Sequence, residues 1–271
     1  MKLPVLDTKN NEVGKIELPS QFNEPVRKDL IKKAVEAIKA NSRQPYGANP
    51  RAGLRQSAEL SRRRHTYRGA YGHGISRVPR KILSRRGQQM YWVGAVAPGT
   101  VSGRRAHPPK SEKVWSKKMN VKERRMAIRS ALSATVLKET VKERGHRVPD
   151  NYPFIAENGF ENIEKTKEVI GTLNKLGFSD ELERVSERKI RAGKGKLRGR
   201  KYKRKVGPLL VVSDKCNLQK AARNIPGVNV VLVHKLNAKE LAPNASLGRC
   251  CIFTQKAVER LANENLFGGS K

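Results

Sequence analysis

The sequence is poor in acidic residues, aromatic residues, cysteine and long apolar runs. Of its 271 residues only 24 are Asp or Glu whereas 58 are Lys or Arg, so the formal net charge is +34. Aromatic residues make up 5% of the chain. The apolar runs, such as residues 209–212, are far shorter than the roughly 20 residues that span a bilayer, so we expect no membrane-spanning segment.

The scarcity of cysteine and the N-terminal sequence both indicate a cytoplasmic protein. The first residues, MKLPVLDTKNNEV, contain no long apolar stretch, so we expect no secretory signal. Three cysteines, Cys216, Cys250 and Cys251, are too few for a disulfide framework. No C-x-x-C pair and no H-E-x-x-H spacing occurs, so we expect neither a metal site nor a cofactor.

The positive charge is concentrated in two segments. Residues 43–118 contain 18 basic and two acidic residues, and residues 60–111 contain no acid at all. Residues 188–205 contain 11 basic residues and no acid. The rest of the chain is far closer to charge balance. This distribution indicates two binding segments for a polyanion, most simply a nucleic acid.

Outside these segments the pattern is typical of an α/β domain. Short apolar strands at 209–212, 228–233 and 250–253 alternate with helices at 217–223, after the capping residue Asn237, and at 255–261. We therefore predict a mostly parallel sheet with helices on both faces, in a Rossmann-like layered core. Residues 1–42 and 119–271 would form this domain, and residues 43–118 would be a long extended basic loop inserted in it.

Three helix boundaries can be predicted from local signals. Pro25 is expected to open a helix with one apolar face, because proline is favoured in the first helical turn. Asn120 and Glu123 resemble a capping box at the start of a second helix. That helix is expected to end at Gly145.

The composition of the long segment is typical of a chain that folds on an RNA partner. It has nine glycines and six prolines and no sustained periodicity, although a disordered linker is the plainer interpretation. Arginine offers a planar fork for phosphate, and interleaved rings such as Tyr67, Tyr71 and Trp92 can stack on unpaired bases or simply pack within the loop. No helix-turn-helix or zinc finger is visible, so RNA is favoured over duplex DNA.

Two features of the sequence suggest an enzyme, but each is weak evidence. Gly193, Gly195 and Gly199 lack the preceding apolar strand and the following helix that a dinucleotide site requires, so a clamp for backbone phosphates is the better interpretation. Asp214 follows a strand, as catalytic carboxylates often do, but it has no acidic partner nearby and is more typical of a turn or cap. We predict that the protein is not an enzyme, with an RNA-processing enzyme as the alternative.

Four stretches carry a resemblance to a known family. They are S-R-Q-P-Y-G from Ser42 with A-G-L-R from Ala52, G-R-R-A-H-P-P-K-S-E-K from Gly103, the helix from Lys122 to Ala134, and R-A-G-K-G-K-L-R-G-R from Arg191. In these stretches the chain closely resembles the L-four family of large-subunit ribosomal proteins, in its archaeal and eukaryotic form. The resemblance covers essentially the whole chain.

The resemblance implies a function in the large ribosomal subunit. Members of the family bind 23S ribosomal RNA early in assembly and contact several of its domains, and their internal loop forms part of the wall of the polypeptide exit tunnel. The implied partners are 23S RNA, neighbouring large-subunit proteins and the nascent polypeptide, with no membrane and no small-molecule substrate. Some members of the family also repress translation of their own messages.

The resemblance and the charge pattern together predict the RNA-binding residues. The resemblance implies Arg43, Gln44, Tyr46, Arg51 and Arg55 at the start of the loop, Arg104, Arg105, His107 and Lys110 on its return, and Arg191, Lys194, Lys196, Arg198 and Arg200 in the second segment. The charge pattern adds Arg62, Arg63, Arg64, Arg68, Arg77, Arg80, Arg85, Arg86 and Lys201. We expect the loop tip within residues 62–86.

Overall fold

Strands and helices alternate along most of the computed structural model, which describes residues 1–66, 69–87 and 89–268. Its strands are β1 (Lys2–Leu6), β2 (Glu12–Glu17), β3 (Arg80–Arg86), β4 (Gln89–Gly94), β5 (Ile155–Ala156), β6 (Arg188–Ile190), β7 (Tyr202–Arg204), β8 (Leu209–Val212), β9 (Asn229–Leu232) and β10 (Cys251–Thr254). Its helices are α1 (Lys28–Asn41), α2 (Val121–Val136), α3 (Lys138–Glu143), α4 (Thr166–Lys175), α5 (Ser179–Ser186), α6 (Leu218–Ala222), α7 (Ala238–Leu241) and α8 (Gln255–Asn263). Two compact units result, Met1–Ser42 with Ser116–Lys271, and Arg43–Trp115.

The first unit is built on a mixed sheet with the strand order β2-β1-β5-β10-β8-β9. Only the edge pair β1–β2 is antiparallel, and the other neighbouring strands of this sheet are parallel. Parallel neighbours need long crossover connections, which the intervening helices provide. The prediction of an α/β protein with a mostly parallel sheet is confirmed.

Two buried apolar clusters share the residues of the central strands. Leu209 and Val211 of β8 belong to the first cluster, and Leu210 and Val212 to the second, because successive side chains of a strand point to opposite faces. Helices α1, α2, α7 and α8 contribute side chains to the first cluster, and α3, α4 and α6 to the second. Every residue of β8 is therefore buried, which explains its uninterrupted apolar sequence.

Both adjacent cysteines lie in the interior. Cys250 is fully buried in the second cluster and Cys251 is buried in the first. Burial raises the pKa of both thiols, that of Cys251 to about 12. Both side chains are therefore packing residues, held as thiols at neutral pH.

The predicted start of α1 at Pro25 is wrong, because a distant side chain fixes the entry to this helix. Helix α1 begins at Lys28. The Arg27 backbone N–H donates to Ser130 Oγ at 2.6 Å, and Ser130 Oγ donates to the Pro25 carbonyl at 2.9 Å. Ser130 lies on α2, so the chain before α1 is tied to a helix that follows about a hundred residues later.

The predicted end of α2 is also wrong. Asn120 precedes the helix as predicted, but its side chain makes no capping hydrogen bond. The helix stops at Val136, where Leu137 becomes extended, and Gly145, with φ of +94°, instead follows α3. The Tyr152 hydroxyl donates to the Thr135 carbonyl near this break. The predicted cap at Asn237 is confirmed, since its side chain accepts from the Glu240 backbone N–H at 2.9 Å.

The second unit contains a hairpin that the sequence did not indicate. Strands β3 and β4 pair antiparallel, with Arg80 opposite Gly94 and Arg86 opposite Gln89. No residue of either strand is fully buried, so neither shows the alternation of apolar and polar residues by which a half-buried strand is recognised.

Candidate nucleic-acid interface

The second basic segment folds as a short ribbon in the first unit. Strands β6 and β7 pair antiparallel, with Arg188 opposite Arg204 and Lys189 opposite Lys203. Between them a single 3-10 turn, Lys194–Arg198, contains no buried residue, and Gly199 follows it with a left-handed φ of +74°. The three predicted glycines thus belong to the tip of an exposed hairpin. They do not form the strand-to-helix turn that a dinucleotide site needs.

Buried charges hold the base of this ribbon. Glu181 on α5 is fully buried, and its Oε1 lies 2.7 Å from Arg184 Nη2 and 2.6 Å from His146 Nδ1. Its Oε2 accepts from Arg184 Nε at 2.8 Å and from the Arg147 backbone N–H at 2.9 Å. Arg184 Nη2 also donates to the carbonyl of Val206, directly after the returning strand, at 2.8 Å. One ion cluster therefore joins the helix before β6 to the residues after β7.

The protonation states of this cluster follow from burial and from its hydrogen bonds. Burial alone would raise the pKa of Glu181, but the hydrogen bonds from Arg184 and His146 outweigh it and lower that pKa. Burial lowers the pKa of His146, against the opposing effect of the Glu181 carboxylate. Near neutral pH the cluster therefore holds a charged carboxylate, a charged guanidinium and a neutral imidazole.

A glycine contact tightens the same base. The backbone N–H of Gly207 donates to the carbonyl of Gly227 at 3.0 Å. Gly227 has a φ of +71°, and a Cβ there would lie 2.0 Å from Val185 Cγ1. Only glycine satisfies both conditions at this position. Lys205 and Glu187 complete the base with an ion pair of 2.5 Å.

In the second unit the two limbs of the long segment run against each other. The Ala48 backbone N–H donates to the Pro109 carbonyl at 2.9 Å. A Cβ at Gly53, whose φ is +76°, would lie 2.5 Å from the Arg104 Cα. The backbone contacts therefore bring the neighbourhood of the predicted residue Arg51 beside that of Arg104.

Several predicted rings of this unit lie against cations of the same chain. The Arg43 guanidinium carbon is 3.7 Å from the centroid of the Trp115 ring, and the Tyr46 and Trp115 rings are stacked with centroids 6.0 Å apart. Arg77 lies 4.4 Å above Tyr71, and Arg80 lies 5.4 Å from the Trp92 ring. Tyr67 lies outside the described residues. The sequence did not single out Trp115, because its contacts with Arg43 and Tyr46 join residues about 70 positions apart in the chain.

Most predicted RNA-binding side chains are exposed. Within the part of the chain that the structure describes, only Arg80 and Arg191 of the predicted residues are half-buried. Arg85 donates to the Gly87 carbonyl. The other described residues of the predicted set form no ion pair with a carboxylate, whereas Arg129, Arg184, Arg249 and Arg260 of the first unit do. Arg68 lies outside the described residues.

Comparison with known proteins gives a consistent result. A family model described as "Ribosomal protein L4/L1 family" matches residues 16–264. A relative from Nanoarchaeum equitans named "Large ribosomal subunit protein uL4" is 50% identical over 268 residues, 98% of this chain and 100% of the relative. Proteins of the same name from Methanopyrus kandleri and Archaeoglobus fulgidus are 45% and 43% identical, and each alignment covers 96% of this chain and 98% of the relative.

The chain belongs to the ribosomal protein L4/L1 family. The resemblance inferred from its motifs is thereby confirmed. The family is one of structural ribosomal proteins, so the prediction that the chain is not an enzyme is confirmed.

The surroundings of Asp214, the residue that suggested catalysis, agree with a protein that is not an enzyme. Asp214 is exposed and forms an ion pair of 2.5 Å with Arg260 of α8. It thus serves as an ion-pair partner after β8.

Among the residues with described positions, no group of three His, Cys, Asp or Glu side chains could hold a metal ion. In the same residues, no helix is long and apolar enough to cross a bilayer.

Proposed function

We propose that this chain is a structural protein of the large ribosomal subunit that binds 23S ribosomal RNA through its two basic segments. The family supports the ribosomal role. The observation that carries the proposal of direct RNA binding is the exposure of the predicted arginines and lysines in segments almost without acid. Exposed cations that no carboxylate neutralises are available to phosphates.

The mechanism follows from electrostatics. Arg and Lys side chains neutralise phosphates that would repel each other when RNA domains approach, and the displaced counterions contribute to the driving force. Guanidinium groups add paired hydrogen bonds to phosphate oxygens. We propose that the protein acts in this way early in assembly and joins several RNA domains. Neighbouring large-subunit proteins would be its other partners.

The two segments have different proposed roles. The first unit is proposed to be a Rossmann-like layered scaffold that presents the ribbon of residues 188–205 to RNA. Residues 43–118 are proposed to enter the RNA as an extended loop, with the tip within residues 62–86 beside the exit tunnel and the nascent polypeptide. The acid-free composition of residues 60–111 supports this placement, because any carboxylate would be repelled by surrounding phosphates.

Replacing Arg198 and Arg200 with Ala tests the RNA-binding role. Both side chains are exposed at the tip of the ribbon, so the fold should be retained while affinity for 23S RNA falls. Each phosphate contact contributes a slope of roughly 0.7 to 0.9 in log affinity against log salt, so the double variant should lose roughly 1.5 from that slope. Filter binding at several salt concentrations measures both quantities.

The matched control removes two cations from elsewhere. Lys167 and Lys175 are exposed on α4 and form no ion pair within the described residues. The variant with Ala at both positions has the same net charge as the Arg198 and Arg200 variant, but it should bind almost as the unaltered chain does. Equal losses in the two variants would show that only net charge matters and would refute a specific role for the ribbon.

A further inference from the structure

Four side chains from the two ends of the second unit meet at one place. The Arg43 guanidinium carbon lies 3.7 Å from the Trp115 ring centroid and 5.3 Å from that of Tyr46. The Lys113 ammonium nitrogen lies 4.5 Å from the Trp115 centroid. The Tyr46 and Trp115 rings are inclined by only 19°. We call these four residues the Trp115 cluster.

The cluster has an excess of positive charge. Two cations contact the same indole ring, whose face attracts them through its quadrupole. No carboxylate of the described residues forms an ion pair with either cation, although Glu112 is adjacent in sequence to Lys113. Two neighbouring cations without a counter-charge repel each other, so the arrangement favours the binding of an anion.

The cluster also contains a hydrogen-bond donor without an acceptor. Trp115 Nε1 is buried and has no hydrogen-bond partner among the described residues. A buried donor without a partner is unfavourable, because it has lost its hydrogen bond to water and gained none. The Arg43 guanidinium makes one hydrogen bond among the described residues, a long one of 3.5 Å to Tyr46 Oη. The cluster can therefore gain hydrogen bonds by rearranging around a ligand that brings oxygen acceptors.

We propose that the Trp115 cluster is a binding site for one nucleotide of single-stranded RNA. Arg43 and Lys113 turn from the ring to the oxygens of a backbone phosphate. The ring faces that they leave become available to an unpaired base, which stacks on Trp115 or Tyr46. Stacking on aromatic rings and phosphate contacts are the two interactions by which proteins bind unpaired RNA. This site rests on the proposed RNA-binding function and adds Lys113 and Trp115 to the residues predicted for it.

Filter binding to 23S RNA tests the site with three variants of the cluster and one control variant, all in the full chain. Trp115→Leu removes the ring, and since stacking of a base contributes roughly five- to 150-fold in affinity, we expect about a tenfold loss. Trp115→Phe retains a stacking face and should stay within about threefold of the unaltered chain. Lys113→Gln should lower the salt slope by roughly 0.7 to 0.9, whereas Lys167→Gln, the exposed control on α4, should not change it.

Ultraviolet crosslinking tests the same site in the unaltered protein, so its result does not depend on whether the variants fold. We expect mass spectrometry of the irradiated complex to show a nucleotide attached to Trp115 or Tyr46. Adducts elsewhere in residues 43–118 without one in the cluster would overturn the site, as would equal affinity of the Trp115→Leu variant. Both results would leave the proposed function intact. If the unaltered chain failed to bind 23S RNA at all, the proposed function itself would fail.

Discussion

Replacing Glu181 with Gln should destabilise the first unit strongly. The substitution keeps the shape of the side chain but removes the charge that Arg184 and His146 contact from two sides. The amide also turns an acceptor into a donor, which cannot accept from Arg184 or from the Arg147 backbone N–H. The positive charge of Arg184 then has no carboxylate beside it and little contact with water, because only 16% of its side chain is exposed.

The size of the effect follows from the burial of the pair. Removing one partner of a buried ion pair costs roughly 3–5 kcal/mol in the free energy of unfolding. Because Arg184 retains some contact with water and its bond to the Val206 carbonyl, we expect about 3 kcal/mol. For a domain of this size each kcal/mol lowers Tm by about 2–4 °C, so E181Q should lower Tm by about 6–12 °C.

Urea unfolding followed by circular dichroism, together with a thermal scan, measures both quantities. Glu183→Gln is the matched control, because Glu183 lies on the same helix but is exposed and forms no ion pair within the described residues. It should change the free energy of unfolding by less than about 0.5 kcal/mol. If E181Q were as stable as this control, the buried cluster would not hold the base of the ribbon, and the reasoning would be refuted.

Two further predictions concern pH and the long loop. Burial lowers the pKa of His146 from its usual 6.5. As the pH falls, the unfolded chain therefore binds a proton at this residue before the folded chain does. The free energy of unfolding should consequently decrease between about pH 7 and 5. The variant His146→Asn should show a smaller decrease in urea midpoint over this range, and an unchanged pH dependence would contradict the assignment. Deleting residues 62–86 should leave the first unit folded but alter the tunnel constriction in electron cryo-microscopy of the mutant subunit. A constriction of unchanged dimensions would rule out the proposed position of the loop tip.

Elements defined by their own composition could be predicted from the sequence. The strand β8 was predicted with its observed bounds, because each residue of this parallel strand faces one of the two buried clusters and must be apolar. Asn237 was predicted as a cap, because its side chain bonds to a backbone N–H only three residues away. Both signals lie within a few residues of the structure that they specify.

Elements fixed by distant contacts could not be predicted in this way. The start of α1 depends on Ser130, and Tyr152 bonds to the last turn of α2, so local signals at Pro25 and Gly145 were misleading. The hairpin of β3 and β4 lacks a buried face, so its sequence contains no strand periodicity. The Trp115 cluster joins Arg43 to residues 113 and 115, which no local pattern connects.

The sequence alone determined the family, the α/β class and the two segments in which positive charge collects. These properties depend on which residues are present and in what order they follow each other, and both are set before the chain folds. The tertiary structure decided where the helices begin and end, which buried charges hold the base of the ribbon, and which cations lie on which rings. Those features arise from contacts between residues far apart in the chain, and only the folded backbone determines which of them meet.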